Sequence, residues 1–143
     1  MPEVDKTKVQ VFFMSSPCPF PNWLARHPFM TINEYGNLTR FEVLHRRNKN
    51  DTYIHIDEYE AFKGLPYVLP FRRFSWKAQV LGVVEGEEAI QIAKFIKASK
   101  GNYPFKDEYQ FLGHNSNTYV GWVLKHFPKL NIKLPPRSFG KQI

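Results

Sequence analysis

The chain reads as an α+β domain, and three observations carry that reading. Short runs of strand-like residues recur up to Val84, whereas two helical stripes appear only beyond Gly86. Gly36-Asn37 sits between two of the strand-like runs, where residues that tolerate positive φ favour a two-residue hairpin turn. A mainly antiparallel sheet with at least two packed helices is expected.

Lys8 to Met14 reads as the first strand, with its apolar residues gathered toward the end. Ser15 to Asn22 holds three prolines and is not expected to continue it in a sheet interior. Trp23-Leu24-Ala25-Arg26 suits a short turn leading to His27. Two strand-like runs, Phe29–Tyr35 and Leu38–Arg46, flank Gly36-Asn37. In the second run Phe41 and Val43 point one way, and Arg40, Glu42 and Leu44 the other. Tyr53–Ile56 is a further short strand, and Lys77–Val84 another. Between them, residues 57–75 are broken by Gly64, Pro66 and Pro70 and are expected to be irregular, as a cover over a site. Gly86-Glu87-Glu88 opens a helix whose acids suit the dipole, and Ala89, Ile92, Ala93 and Ile96 form its buried stripe. Lys100-Gly101-Asn102 ends it. Val120, Val123, Leu124 and Phe127 repeat at helical spacing in a second helix, which Phe127-Pro128 stops.

Composition narrows the function classes. With 143 residues, 43% of them hydrophobic, and thirteen Phe, a single domain over 1–143 with a real core is expected. No apolar run approaches the ~18 residues that span a bilayer. The opening Met1 to Lys6 lacks an apolar signal core, so a cytoplasmic location is expected. Cys18 is the only cysteine, lies between Pro17 and Pro19, and reads as a loop or packing residue. The net charge of +7 is spread thinly. Arg46-Arg47-Asn48-Lys49 sits in a turn-like stretch, Arg72-Arg73 follows a proline, and the lysines of 94–100 form the solvated side of a helix. No nucleic-acid module or phosphate loop accompanies them, so nucleic acid is not expected as a partner. His55 with Asp57 and Glu58 lacks the spacing of a metal site. Neither a metal nor a cofactor is expected.

The stretch that points to chemistry is Gly113-His114-Asn115-Ser116-Asn117-Thr118-Tyr119, directly before the second helix. Its Asn, Ser and Thr residues favour caps and turns. They place a hydroxyl at or near a helix N-terminus, where free N–H groups and the dipole favour developing negative charge. The same residues also serve as plain caps. An activated hydroxyl needs a base and a group that orients the base. His27, His45, His55, His114 and His126 are the available histidines.

Four segments, in order, resemble a bacterial domain-of-unknown-function family over roughly residues 23–141. Ala25-Arg26-His27-Pro28-Phe29 matches its A-R-H-[AP]-[WF] start, and Thr39-Arg40-Phe41-Glu42-Val43 its T-R-[FY]-E-V strand. Gly113 to Val120 matches G-x-N-S-N-T-[FY]-V, and Leu134 to Lys141 matches L-P-P-x-x-x-G-K. More distantly, the order His27, then Arg40 or Glu42, then Asn115-Ser116-Asn117-Thr118-Tyr119 is similar to circularly permuted papain-like proteins of the lecithin:retinol acyltransferase type. Those proteins carry a His on an early strand, a polar partner on the next and a late N-C-x-x-F helix start. That resemblance implies a permuted papain-like fold with Ser116 where those enzymes carry cysteine. It also implies Ser116 as nucleophile, His27 as base, and Glu42, or its rival Arg40, as the orienting residue. Asn115, Asn117, Thr118 and His114 would then line the ligand site. A serine-dependent hydrolase or acyltransferase acting on a small-molecule, lipid or peptide amide, ester or thioester is expected. The other expectation is a catalytically inactive domain that binds a ligand or peptide in the same cleft.

Overall fold

The computed structural model describes residues 2–18, 25–69, 72–111 and 113–141. Strands β1 (Val9–Pro17), β2 (Arg26–Glu34), β3 (Asn37–Val43) and β4 (Ile54–Ile56) come first in the chain. β5 (Lys63–Leu69), β6 (Arg72–Lys77) and β7 (Gln79–Glu85) follow, then helices α1 (Glu87–Asn102) and α2 (Ser116–His126). β1 to β4 and β7 form a five-stranded antiparallel sheet in the order β4-β3-β2-β1-β7, while β5 and β6 pair separately. The α+β class and the mainly antiparallel sheet follow from this pairing.

Register decides which side chains share a face. The pairs Phe13↔Met30, Val11↔Ile32 and Met30↔Phe41 carry apolar side chains to one face of the sheet. There they pack with Ala89, Ile92, Ala93 and Ile96 of α1 and Tyr119, Val120 and Val123 of α2. Each fully buried Phe or Ile in such a layer contributes about 1.5–3 kcal/mol. The alternate residues Phe12, Met14 and Phe29 form a second cluster with Phe62 and Ala78 on the opposite face. Ser16 pairs with His27 and Thr31 with Arg40, so these residues and Glu42 share that second face. The segment before β5 covers it: Thr31 Oγ1 donates to Ala61 O at 2.5 Å, and the Phe12 and Phe62 rings meet edge-on at 4.9 Å. Both faces of the central strands are therefore buried, which is why Arg40 and Glu42 lie inside.

Several expectations need correction. The hairpin turn is Tyr35-Gly36, one residue earlier than Gly36-Asn37, with Glu34 paired to Asn37. Tyr35 and Gly36 both take positive φ (54° and 101°), and Asn33 Oδ1 accepts from Gly36 N at 2.7 Å. β1 continues through Ser15 and Ser16 to Pro17, because Pro17 lies beyond the last pair with β7, Ser15↔Gln79. β2 begins at Arg26 instead of Phe29, which places His27 inside a strand. Residues 57–75 hold β5 and most of β6, with a register shift between Lys63 and Pro66 that accommodates the proline. The expected turn at Trp23-Leu24 and the prolines Pro19 and Pro21 lie outside the described residues. Among the described residues, no helix is long and apolar enough to cross a membrane.

Candidate functional site

The first polar centre is His27-Glu42-Arg40, all three in the layer of Phe29. His27 enters from β2, and Glu42 and Arg40 come two apart on β3, so they share a face. His27 Nε2 lies 2.8 Å from Glu42 Oε1. Arg40 donates through Nε to Glu42 Oε2 and through Nη2 to Oε1, both at 2.8 Å. Its Nη1 donates to Glu60 O at 2.7 Å and to Lys63 O at 2.5 Å, and its Cζ sits 3.6 Å above the Phe29 ring centre. Glu42 is thus the partner of His27. Arg40 is the anchor of Glu42, and the two are not rivals for one role.

The protonation pattern follows from these contacts. Burial pushes the Glu42 carboxyl up, but the His27 hydrogen bond and the Arg40 guanidinium outweigh it and hold the group below its usual range. An anionic Glu42 can only accept, so the His27 proton resides on Nε2. Burial lowers the His27 pKa, the Glu42 contacts oppose this incompletely, and Arg40 adds to the lowering. The imidazole is therefore neutral near pH 7, with a lone pair on Nδ1 that has no hydrogen-bond partner among the described residues.

The second centre is the start of α2. Asn115 is the N-cap: its Oδ1 accepts from Asn117 N at 2.9 Å and Thr118 N at 3.4 Å. Thr118 Oγ1 in turn accepts from Asn115 N at 3.1 Å, completing a capping box. Ser116 is the first helical residue and only 5% exposed. Among the described residues its hydroxyl makes no hydrogen bond. Nor does its own N–H, whereas those of Asn117 and Thr118 are taken by the cap.

Asn117 does not cap the helix; it ties three segments together. Its Nδ2 donates to Arg26 O at 3.1 Å and to Phe139 O at 3.0 Å, while its Oδ1 is buried without a partner among the described residues. Thr118 Oγ1 lies 2.8 Å from Gly140 O, and Arg26 N donates to Arg137 O at 3.1 Å. Gly140 has φ +93°, and a Cβ there would stand 2.5 Å from Gly113 O. Residues 137–140 thus close over both the α2 start and the β2 start. In the sequence that segment stands out only as the L-P-P-x-x-x-G-K match, and its glycine is the signal of this close approach.

The structure brings His27, Glu42 and Arg40 together, and separately Asn115, Ser116, Asn117 and Thr118. Asn117 joins the two centres through the carbonyl of Arg26, the neighbour of His27. No hydrogen bond links His27 to Ser116: the ring lies in the Phe29 layer, and α2 packs on the other face. His114 stands apart, stacked on Phe105 with ring centres 3.6 Å apart and hydrogen-bonded through Nδ1 to Glu108. Half-buried Cys18 has its thiol pushed up to about 11 by burial, only partly offset by Arg26, so it carries no activated thiolate.

Residues 6–143 match a family model described as "Protein of unknown function (DUF3750)". No curated protein and no solved structure matches the chain.

Proposed function

The chain belongs to the DUF3750 family, and from that premise we propose that it is a serine-dependent hydrolase or acyltransferase acting on an amide, ester or thioester. The observation that carries the reading is the unbonded hydroxyl and N–H of Ser116 at the first position of a capped helix. That helix is tied to the residue before a neutral, carboxylate-oriented histidine. On this reading Ser116 Oγ attacks the substrate carbonyl carbon and its proton passes to His27 Nδ1. The carbonyl electron pair moves to oxygen, where the Ser116 N–H donates to it. Collapse of this intermediate expels the leaving group, which takes the proton from His27. Water or a second acceptor then releases the acyl group by the reverse proton path. The step needs Nδ1 and Oγ about 3 Å apart, which requires the His27 ring to leave the Phe29 layer for the α2 face when substrate binds.

A second reading is favoured by the Arg40 contacts and the layering. Glu42 spends its charge on the guanidinium, so it stabilises a His27 imidazolium weakly, and the ring sits across the sheet from α2. The α2 start would then hold a ligand or peptide without covalent chemistry. Labelling of the intact chain with a fluorophosphonate, followed by mass spectrometry, separates the two. Catalysis predicts a single adduct on Ser116 that is lost in Ser116→Ala. It also predicts labelling slowed about 100-fold in His27→Gln, the scale of a lost general base, with both variants folded by melting temperature. An unlabelled chain, or an adduct that survives in Ser116→Ala, overturns the catalytic reading in favour of the binding one.

A further inference from the structure

We infer that the groove between the loop of residues 46–52, β4 and the C-terminal end of α1 binds a phosphorylated small molecule. The groove encloses about 540 Å³ and is lined by Arg46, Arg47, Lys49 and Lys100 with one carboxylate, Glu58. That volume lies within the 300–1,000 Å³ of ordinary ligand sites. Glu58 is already engaged, at 2.8 Å, by Arg46. Three cations remain to set the potential inside the groove.

Arg47 is positioned without being neutralised. It donates to Asp51 O at 2.7 Å and Asp107 O at 3.2 Å, and its guanidinium carbon lies 4.8 Å from the Tyr53 ring centre. Its one carboxylate neighbour, Asp51 at 3.5 Å, is 87% exposed, so water and salt screen that pair. Lys49 and Lys100 form no ion pair among the described residues. Like charges converging on one concavity repel each other, and a ligand carrying two or more negative charges relieves that repulsion.

The loop is also built to hold its shape. Asn48 Oδ1 accepts from Asn50 N at 2.8 Å and Thr52 N at 3.0 Å, while its Nδ2 donates to Thr52 Oγ1 at 2.9 Å. Below the loop, buried His55 places Nε2 2.8 Å from Arg46 O. The cations are therefore carried on a fixed frame, which lowers the ordering cost of binding. Ile56, 43% exposed, supplies an apolar wall, with Ile54 buried in the core behind it. A phosphate ester whose organic part lies on that wall fits both halves of the groove.

The same phosphate chemistry reaches the groove either as a soluble ester or as a lipid headgroup. The full chain is titrated with inorganic pyrophosphate by calorimetry, and in parallel with phosphatidylcholine vesicles containing phosphatidic acid. Binding of pyrophosphate supports the inference with a soluble source, and binding of vesicles alone supports it with a headgroup source. Lys49→Gln/Lys100→Gln is expected to weaken whichever binding occurs about tenfold, the scale of lost charge-assisted contacts. Lys129→Gln/Lys133→Gln, which removes equal charge elsewhere, is expected to leave it within about twofold once screening is allowed for. Binding of neither probe, or equal weakening by both double variants, overturns the inference.

Discussion

Arg40 shows how one side chain organises the interior. A guanidinium with no solvent contact must place its N–H groups on acceptors, and Arg40 does so with Glu42, Glu60 O and Lys63 O. The contacts fix Glu42, which in turn fixes His27, so the orientation of the imidazole originates two residues away on the next strand. Removing only the guanidinium leaves a carboxylate buried beside a neutral ring. Arg40→Met is therefore expected to cost about 3–5 kcal/mol, as breaking one side of a buried pair does. Urea unfolding measures this. The triple variant Arg40→Met/Glu42→Leu/His27→Phe, which removes every charge together, should recover much of the loss. A small cost for Arg40→Met, below about 1 kcal/mol, would mean that the pair is open to water as exposed pairs are.

Among the elements, the start of α2 is held by chain from both ends of the sequence. Gly140 makes the contact that only a residue without Cβ allows, with Gly113 O at 2.5 Å and Asn115 Oδ1 at 2.7 Å from where a Cβ would stand. Gly140→Ala combines that overlap with a φ of +93° and should cost about 1–3 kcal/mol, lowering the melting temperature by several degrees. Gly101→Ala meets open space within α1 and should be neutral or slightly stabilising. Equal melting temperatures for the two variants would show that the last segment does not dock on the α2 start. Both helices were legible in sequence because their stripes, Ala89-Ile92-Ala93-Ile96 and Val120-Val123, are the residues that became buried. The β2–β3 hairpin was legible from Gly36, but its turn lay one residue away, since only the folded register shows which residues take positive φ. β5 and β6 escaped notice because Pro66 breaks the alternation and a register shift absorbs the break. His27, Glu42 and Ser116 stood out as residue types in order. That His27 and α2 occupy different faces was not legible, because it depends on a strand starting at Arg26 and on a second cover over the sheet.

For the whole molecule, a sheet buried on both faces means that protonation inside one layer is felt as global stability. His27 is held neutral in the fold, with its pKa below the ordinary 6.5. Above that value neither the folded nor the unfolded chain binds a proton there, and the neutral ring costs nothing. As pH falls below 6.5 the unfolded chain takes up the proton before the folded one does, so unfolding gains and stability is lost. Glu42, depressed below 4.5, adds a second loss, which begins below that value as the unfolded carboxyl protonates. The net charge of +7 contributes a self-repulsion that grows as acids are neutralised, but a single uncharged substitution leaves this background nearly unchanged. His27→Gln keeps an amide donor for Glu42 and removes only the titration. Melting temperatures of the parent and His27→Gln should therefore run parallel above pH 7. They should diverge from about 6.5 downward, with the parent falling faster, while the drop below 4.5 persists in both. Curves that stay parallel through the whole range would mean that His27 takes its proton equally well folded and unfolded, and the sealed layer around it would have to be open to water.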